Sequence, residues 1–260
     1  MRSILVFAPH PDDESLACSG IIRTAILNEY SINIVVVTNG DYLGKDIAKI
    51  RYYEFENAIK KYGLSDKNVI WLGFADTGMD INESFLYKLF YSNEKIISSP
   101  YSKQTYHPVG NMDEFAMLVW NKHLTYNRDS LLKCLNEIVQ ITNPDEIYLP
   151  SIFDLHGDHK ALNLFMNEVL EQIDRSKFIK IFEYIIHGGD DKKWPQRQGV
   201  TFAKPPILSD ELWGMRSRIK VPNGWDKLDI LKVYKSQISG SGYVESFSKD
   251  EEIFWIKEKE

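Results

Sequence analysis

The chain has 260 residues, 43% of them hydrophobic and 26% charged, which is enough to bury the core of one large α/β domain or two small ones. A net charge of −6 argues against nucleic acid as the main partner, because binding to phosphates requires a basic surface. No apolar run approaches the ~20 residues of a membrane span, and residues 4–8 are too few for a signal peptide. With only two distant cysteines, Cys18 and Cys134, the sequence predicts a cytoplasmic protein whose thiols are reduced and buried.

The first third of the chain alternates between predicted strands and helices. Short runs rich in β-branched residues indicate buried strands, and apolar residues at helical spacing indicate amphipathic helices. In chain order, these are a strand at 4–8, a helix at 15–30, a strand at 32–38, a helix at 47–62 and a strand at 68–72. This order predicts an α/β fold with a Rossmann-like, mostly parallel sheet flanked by helices.

The remaining two thirds are predicted to be less regular. Periodicity is lost after residue 76, so the segment 76–128 is interpreted as a long insertion that shapes a substrate pocket. A helix, a strand and a second helix then restore the pattern, and the last third is expected to be irregular apart from one strand, a proline-rich loop and a final helix. The predicted ranges are 130–142, 146–150, 160–173, 178–186, 194–206 and 226–236. No repeat or linker divides the chain, so we expect a single domain over residues 1–260.

The first polar cluster, PHPDDE at residues 9–14, directly follows the first predicted strand. The imidazole of His10 and the carboxylate of Asp13 form a ligand pair that suits Zn²⁺ or another divalent first-row metal. Asp12, between them, would then be free to act as a base on a water molecule. An acidic run of this kind is also typical of a solvated turn or a helix N-cap. Glu14 has two open roles, capping of the following helix or support of His10 from behind.

The second polar cluster, DLHGDH at residues 154–159, also follows a predicted strand. Because the carboxyl ends of parallel strands share one edge of the sheet, the two clusters can meet there. His156 and His159 are three residues apart at the start of a predicted helix, so both side chains can point the same way. One of them would complete a site of three protein ligands, and Asp158 could orient an imidazole.

The two motifs together, APHPDDE at 8–14 and HGDH at 156–159, resemble those of the PIG-L/LmbE-like metal-dependent N-deacetylases. The resemblance covers residues 1–175 well and the last third loosely. It implies a Rossmann-like fold, a Zn²⁺ cofactor or a similar divalent ion, and removal of the acetyl group from an N-acetyl amino sugar or a glycoconjugate.

By motif position, the resemblance also implies roles for individual residues. His10, Asp13 and His159 would be the metal ligands. Asp12 would be the general base, and His156 would stabilise the oxyanion or protonate the amine. Asp158 matches the acid of the second motif and is assigned with the catalytic residues.

Three further residues are predicted to contact the substrate. Arg51 stands in an R-x-x-E pair with Glu54 and would grip a sugar hydroxyl or a phosphate, although an ordinary surface ion pair is equally expected. Asp76 and His187 each follow a predicted strand, at the edge where the site is expected, but they could be a turn residue and a structural histidine.

Other polar and aromatic residues are given simpler interpretations. His107 and His123, in or near the insertion, are expected at the surface. Trp194 follows the Gly188-Gly189 pair and is the best placed of the tryptophans to stack on a sugar ring, although most tryptophans lie in a core.

Three alternative functions remain at this point. The first is a metal-dependent amidohydrolase or esterase that acts on a non-sugar substrate. The second is a nucleotide-binding dehydrogenase, which would need a GxGxxG motif where this chain has PHPDDE. The third is a non-catalytic protein with a structural metal, which usually requires a closed shell rich in cysteine. A homo-oligomer is possible.

Overall fold

The computed structural model of the protein describes residues 1–173, 178–189, 194–197 and 199–257. Its strands are β1 (Ser3–Ala8), β2 (Ser31–Thr38), β3 (Val69–Phe74), β4 (Glu146–Pro150), β5 (Lys180–Tyr184), β6 (Ser217–Lys220) and β7 (Glu251–Ile256). Its helices are α1 (Asp13–Leu27), α2 (Lys45–Tyr62), α3 (Phe85–Tyr91), α4 (Phe115–Trp120), α5 (Arg128–Thr142), α6 (Gly157–Glu171), α7 (Asp210–Gly214) and α8 (Lys227–Leu231).

In this part of the chain, the strands form one seven-stranded sheet in the order β3-β2-β1-β4-β5-β7-β6. The first five strands are parallel, and β7 runs antiparallel to both β5 and β6. The predicted α/β fold with a mostly parallel sheet is therefore confirmed. Because β1 and β4 are neighbours, the polar segments that follow them leave the same edge of the sheet side by side.

The central strand β1 is buried on both faces, which explains its continuous apolar sequence. Ile4 and Val6 point into the core cluster that contains residues of α1 and α2. Leu5 and Phe7 point into the cluster that contains residues of α5 and α6. Cys18 and Cys134 lie in these two clusters, one in each, and both are buried and free, as predicted.

The C-terminal third is more regular than predicted. The strands β6 and β7 extend the sheet, although the sequence of β7 begins with two glutamates and does not read as a buried strand. The final helix, predicted at 226–236, is only the five residues of α8. After α8 the chain continues in turns, which place the fully buried Tyr234 against the start of α1.

A buried ion pair from this third of the chain supports a kink in α1. Cys18 has non-helical dihedral angles (φ −126°, ψ 15°) inside α1. The carboxylate of Glu252 accepts hydrogen bonds from the N–H groups of Gly20 (2.8 Å) and Ile21 (3.2 Å), just beyond the kink. Lys227 Nζ donates to the same carboxylate at 2.8 Å. Glu252 therefore acts as a cap for the second half of α1, whose first half begins at Asp13.

The predicted insertion 76–128 contains the two short helices α3 and α4. The helix α3 packs on α6, with its first turn beside the second polar cluster, whereas α4 packs on β3. Only the beginning of the insertion, residues 76–83, lines the cavity described below. Among the described residues, no helix combines the length and the apolar sequence required to cross a membrane.

Candidate active site

The two polar clusters are in direct contact at the carboxyl edge of the sheet. The Nε2 atom of His10 lies 3.1 Å from Oδ2 of Asp158, 148 residues further along the chain. The ring of His10 also lies 4.5 Å from that of His156 and 5.4 Å from that of His159, measured between centroids. The structure thus brings together all the residues that the two motifs predict for the site.

His10, Asp13 and His159 form a buried group in which three ligand atoms face one another. Oδ2 of Asp13 lies 3.2 Å from Nδ1 of His10 and 3.2 Å from Nε2 of His159. Two ligands bound tetrahedrally to one zinc ion at 2.0–2.1 Å stand about 3.3 Å apart. The spacing of these side chains therefore suits a small divalent cation.

The unsatisfied ring nitrogens of His159 give a test of this fit. His159 is fully buried, yet neither Nδ1 nor Nε2 has a hydrogen-bond partner of acceptable geometry. A buried polar atom without a partner is costly, so it usually marks a missing ligand, ion or water. Because Nε2 faces the same point as Asp13 and His10, these residues fit a metal ion.

The charges around this group favour a cation at the same point. Burial lowers the pKa of His159, but the carboxylates of Asp154 and Asp13 outweigh it and raise that pKa to about 9. Burial also opposes protonation of His10, but nearby carboxylates, Asp76 foremost, raise its pKa well above the usual value. The cluster thus stabilises positive charge, which a divalent ion supplies when it displaces the imidazole protons.

Asp154 lies behind His159, a role that the sequence does not predict. Its carboxylate accepts backbone N–H groups of His156 (2.9 Å), Ile186 (2.7 Å) and His187 (3.0 Å). Its Oδ2 atom also lies 3.2 Å from Nδ1 of His159. A carboxylate behind a metal-binding histidine fixes the orientation of the ring and makes it a better ligand. The only sequence signal for this role was its place at the start of the second cluster.

Asp158 occupies the equivalent position behind His10. It is fully buried and does not line the cavity, so it contacts the proposed ligand rather than a substrate. Its Oδ1 atom accepts hydrogen bonds from the N–H of Leu86 (2.9 Å) and from Ser84 Oγ. Nothing in the sequence indicated Ser84. Ser84 can pack this closely against the HGDH motif only because residue 157 is glycine, since a Cβ atom at Gly157 would lie 2.3 Å from Cβ of Ser84.

Two other groups of three could in principle hold an ion, His10–His156–Asp158 and Asp154–His159–His187. Asp158 and Asp154 already accept two and three hydrogen bonds from backbone or hydroxyl donors, whereas Asp13 accepts one, from the N–H of His10 at 2.8 Å. We therefore favour the group that contains Asp13.

Asp12 is held in an unusual conformation beside the metal ligands. Its backbone has φ 142° and ψ −26°, a region that residues other than glycine rarely adopt. Its Oδ1 atom accepts a hydrogen bond from Nη2 of Arg51 at 3.1 Å. Burial raises the pKa of Asp12 to about 7, although the Arg51 charge opposes the change. A carboxylate with this pKa is suited to proton transfer near neutral pH.

Glu14 has the first of the two roles considered for it, because it caps α1. Its Oε2 atom accepts the N–H of Asp12, the N-cap residue, at 3.1 Å. Its other oxygen accepts hydrogen bonds from Ser15 Oγ (2.6 Å) and from the hydroxyl of Tyr234. Burial raises the pKa of Glu14 to about 7. The C-terminal third thus supports the backbone of Asp12 through Tyr234 and Glu14.

His156 presents a neutral imidazole to the cavity. Burial and the neighbouring His10 lower its pKa well below the usual value. Its Nδ1 atom accepts the N–H of Asp158 at 3.1 Å, so the proton of the neutral ring is on Nε2. His156 can therefore donate a hydrogen bond without being protonated, which favours stabilisation of an oxyanion over protonation of an amine.

The three predicted substrate residues all line the cavity, which has a volume of about 540 Å³. Arg51 pairs with Asp12 instead of Glu54, whose carboxylate accepts hydrogen bonds from Ser236. Asp76 lies 3.8 Å from Nη1 of Arg51 and 4.0 Å from Nε2 of His10. The His187 ring lies 5.1 Å from those of His156 and His159, and burial lowers the pKa of His187 to about 4.

Two of the simpler interpretations are wrong. His107 was expected at the surface, but it is buried, with its ring centroid 4.7 Å from that of Tyr52. Trp194 was considered as a platform for a sugar ring, but only 1% of it is exposed and its Nε1 donates to the carbonyl of Ala203. His123 is exposed, as predicted, and pairs with Glu114.

Replacing His159 with alanine is expected to weaken divalent metal binding more than any change outside the three proposed ligands. Asp154→Asn, which leaves the ligands intact, should weaken it by about 10–100-fold. Competition against a chelator with known zinc affinity measures both effects. His123→Ala removes an exposed histidine and is the control. If His159→Ala binds zinc like the parent protein while His156→Ala does not, the ligand set is His10–His156–Asp158, the one of the three groups that lacks His159.

Comparisons with known proteins indicate the family and agree with the fold. The family described as PIG-L, GlcNAc-PI de-N-acetylase, matches residues 5–170. A glucosamine-6-phosphate deaminase-like protein of Bacteroides thetaiotaomicron is 22% identical over 278 residues, and the match covers all of this chain. The chain spans only 39% of the length of that relative.

Solved structures share the fold at low sequence identity. The conserved protein TT1542 of Thermus thermophilus has a TM-score of 0.59 at 19% identity, over 98% of this chain and 94% of its own. N,N′-diacetylchitobiose deacetylase of Pyrococcus horikoshii has a TM-score of 0.54 at 15% identity, over 98% of this chain and 83% of its own. The family match covers both polar motifs and most of the parallel sheet, and the chain belongs to the PIG-L family.

Proposed function

We propose that the protein is a zinc-dependent hydrolase that removes the acetyl group from an N-acetyl amino sugar or its conjugate. The observation that carries the proposal is the buried His159, whose ring nitrogens make no hydrogen bond of acceptable geometry and whose Nε2 atom faces Asp13, with His10 and Asp12 beside it. Membership of a family described as a de-N-acetylase supports the reaction type. The carboxylates behind His10 and His159 support a built metal centre.

In this proposal His10, Asp13 and His159 hold the ion. When bound, a divalent metal would polarise the acetamide carbonyl and make a water molecule more acidic. Asp12 accepts a proton from the water molecule while the oxygen of that water attacks the carbonyl carbon of the substrate. Arg51 holds the carboxylate of Asp12 in place for this transfer.

His156 then donates a hydrogen bond from Nε2 to the oxyanion that forms from the carbonyl oxygen. When the C–N bond breaks, the nitrogen takes up the proton carried by Asp12, so the products are acetate and a free amine. Water supplies the hydroxyl group of the acid, and no covalent bond to the protein is formed. Asp76 and His187 line the same cavity and are proposed to contact the sugar.

An acetate-release screen tests this function. The zinc-loaded protein should release acetate from at least one N-acetyl amino sugar, free or in a glycoconjugate, and should not do so after chelation. Parallel reactions with manganese and cobalt address the identity of the ion. Acetate from N-acetyl amino acids or simple esters alone would instead support the metal-dependent amidohydrolase or esterase considered above.

A further inference from the structure

Carboxyl groups outnumber guanidinium and ammonium groups in the lining of the cavity. Among the lining residues that the structure describes, five carry a carboxyl group, one carries a guanidinium group, and lysine is absent. The carboxyl groups belong to Asp12, Asp13, Asp76, Asp80 and Glu83, and the guanidinium group belongs to Arg51. A bound divalent ion would still leave carboxyl groups in excess.

The single guanidinium group is already engaged by the protein. Nη2 of Arg51 donates to Oδ1 of Asp12 (3.1 Å) and to the carbonyl of Pro11 (3.2 Å), and Nη1 lies 3.8 Å from Asp76. The remaining nitrogen, Nε, has no partner, but it faces Gly40, where a Cβ atom would lie 3.0 Å away. Nη2, which both donor pairs of the guanidinium group share, is thus occupied, so Arg51 retains Nη1 for a single hydrogen bond but cannot grip a phosphate or a carboxylate with two parallel ones.

Two segments of the chain form the outer part of the cavity lining, and they differ in charge. Asp80 and Glu83, in the loop after β3, are both exposed and carry carboxylates. The C-terminal segment contributes Gln237, Ser239 and Ser241, which are uncharged and can donate and accept hydrogen bonds. Hydroxyl groups of a sugar can be bound by such residues, whereas an anionic group would approach Asp80 and Glu83 with repulsion.

On the basis of the proposed function, we propose that the cavity selects acetamido saccharides without phosphate or carboxylate groups and discriminates against their phosphorylated forms. The physical reason is that a phosphate next to these carboxylates is repelled by like charge, which lowers affinity most at low salt because Asp80 and Glu83 are exposed.

The test compares N-acetylglucosamine with N-acetylglucosamine 6-phosphate, using the zinc-loaded protein. We expect kcat/KM for acetate release to be lower for the phosphorylated sugar by about 10-fold or more at low salt. The difference should shrink as ionic strength rises, because salt screens repulsion but not a steric clash. Binding of both sugars, measured by calorimetry, gives a second readout that does not depend on turnover.

Glu83→Lys reverses one charge in the cavity and should raise the relative kcat/KM for the phosphorylated sugar. Glu94→Lys makes the same change at an exposed residue outside the cavity and should leave the ratio unchanged. Equal or better use or binding of the phosphorylated sugar by the parent protein would overturn the inference, as would equal effects of the two variants. If no sugar releases acetate, the proposed function fails instead, and the binding comparison still decides the inference.

Discussion

Asp12→Asn is expected to lower kcat by about 10²–10⁴-fold while the protein keeps its metal, because the change removes a general base without removing a ligand. Asparagine has nearly the same shape as aspartate and keeps an Oδ1 atom that can accept the hydrogen bond from Arg51, so the conformation of residue 12 should persist. Acetate release under saturating substrate measures kcat, and elemental analysis of the same sample measures the zinc content.

A matched control separates this effect from the loss of one negative charge. Asp129→Asn makes the same chemical change at the exposed start of α5 and should keep the parent kcat and metal content. A parent-like kcat for Asp12→Asn would remove Asp12 from the role of base. Loss of zinc from Asp12→Asn would instead make it part of the metal centre.

Glu252→Ala is expected to lower the free energy of unfolding by about 3–5 kcal/mol, because it leaves a buried ammonium group without its partner. The side chains of Lys227 and Glu252 are only 2% and 1% exposed. The variant also removes the acceptor of the Gly20 and Ile21 N–H groups at the kink of α1. Urea denaturation followed by circular dichroism measures the change.

Two comparisons make this prediction specific to the buried pair. Glu56→Ala removes a partner from the exposed pair with Lys60 and should cost less than about 1 kcal/mol. Lys227→Met combined with Glu252→Gln removes both charges and should recover part of the loss, since no unpaired buried ion remains. If Glu252→Ala is no more destabilising than Glu56→Ala, the pair does not support α1 in solution.

The parallel half of the fold could be predicted from the sequence because its signals are local. The strands β1, β2 and β4 are short apolar runs, and their burial on both faces produces that pattern directly. The strand β7 was missed for the opposite reason. Its two leading glutamates are buried through partners far away in the chain, and hydrophobic periodicity cannot show this.

The length of the last helix was overestimated for a related reason. Residues 226–236 contain neither glycine nor proline, so local propensity does not stop the helix. In the structure, α8 ends at Leu231, and the turns that follow bring Tyr234 to Glu14. The short helix thus accompanies a contact across 220 residues, which local propensity cannot show.

The sequence by itself determined which residues could form the site, because two motifs follow two strands whose carboxyl ends share one edge. It did not determine how each side chain is used. Only the tertiary structure placed Asp154 and Asp158 behind the two histidines, committed Arg51 to Asp12, and made His156 a neutral donor. These side-chain roles depend on burial and on contacts between distant segments, and both arise only when the chain is folded.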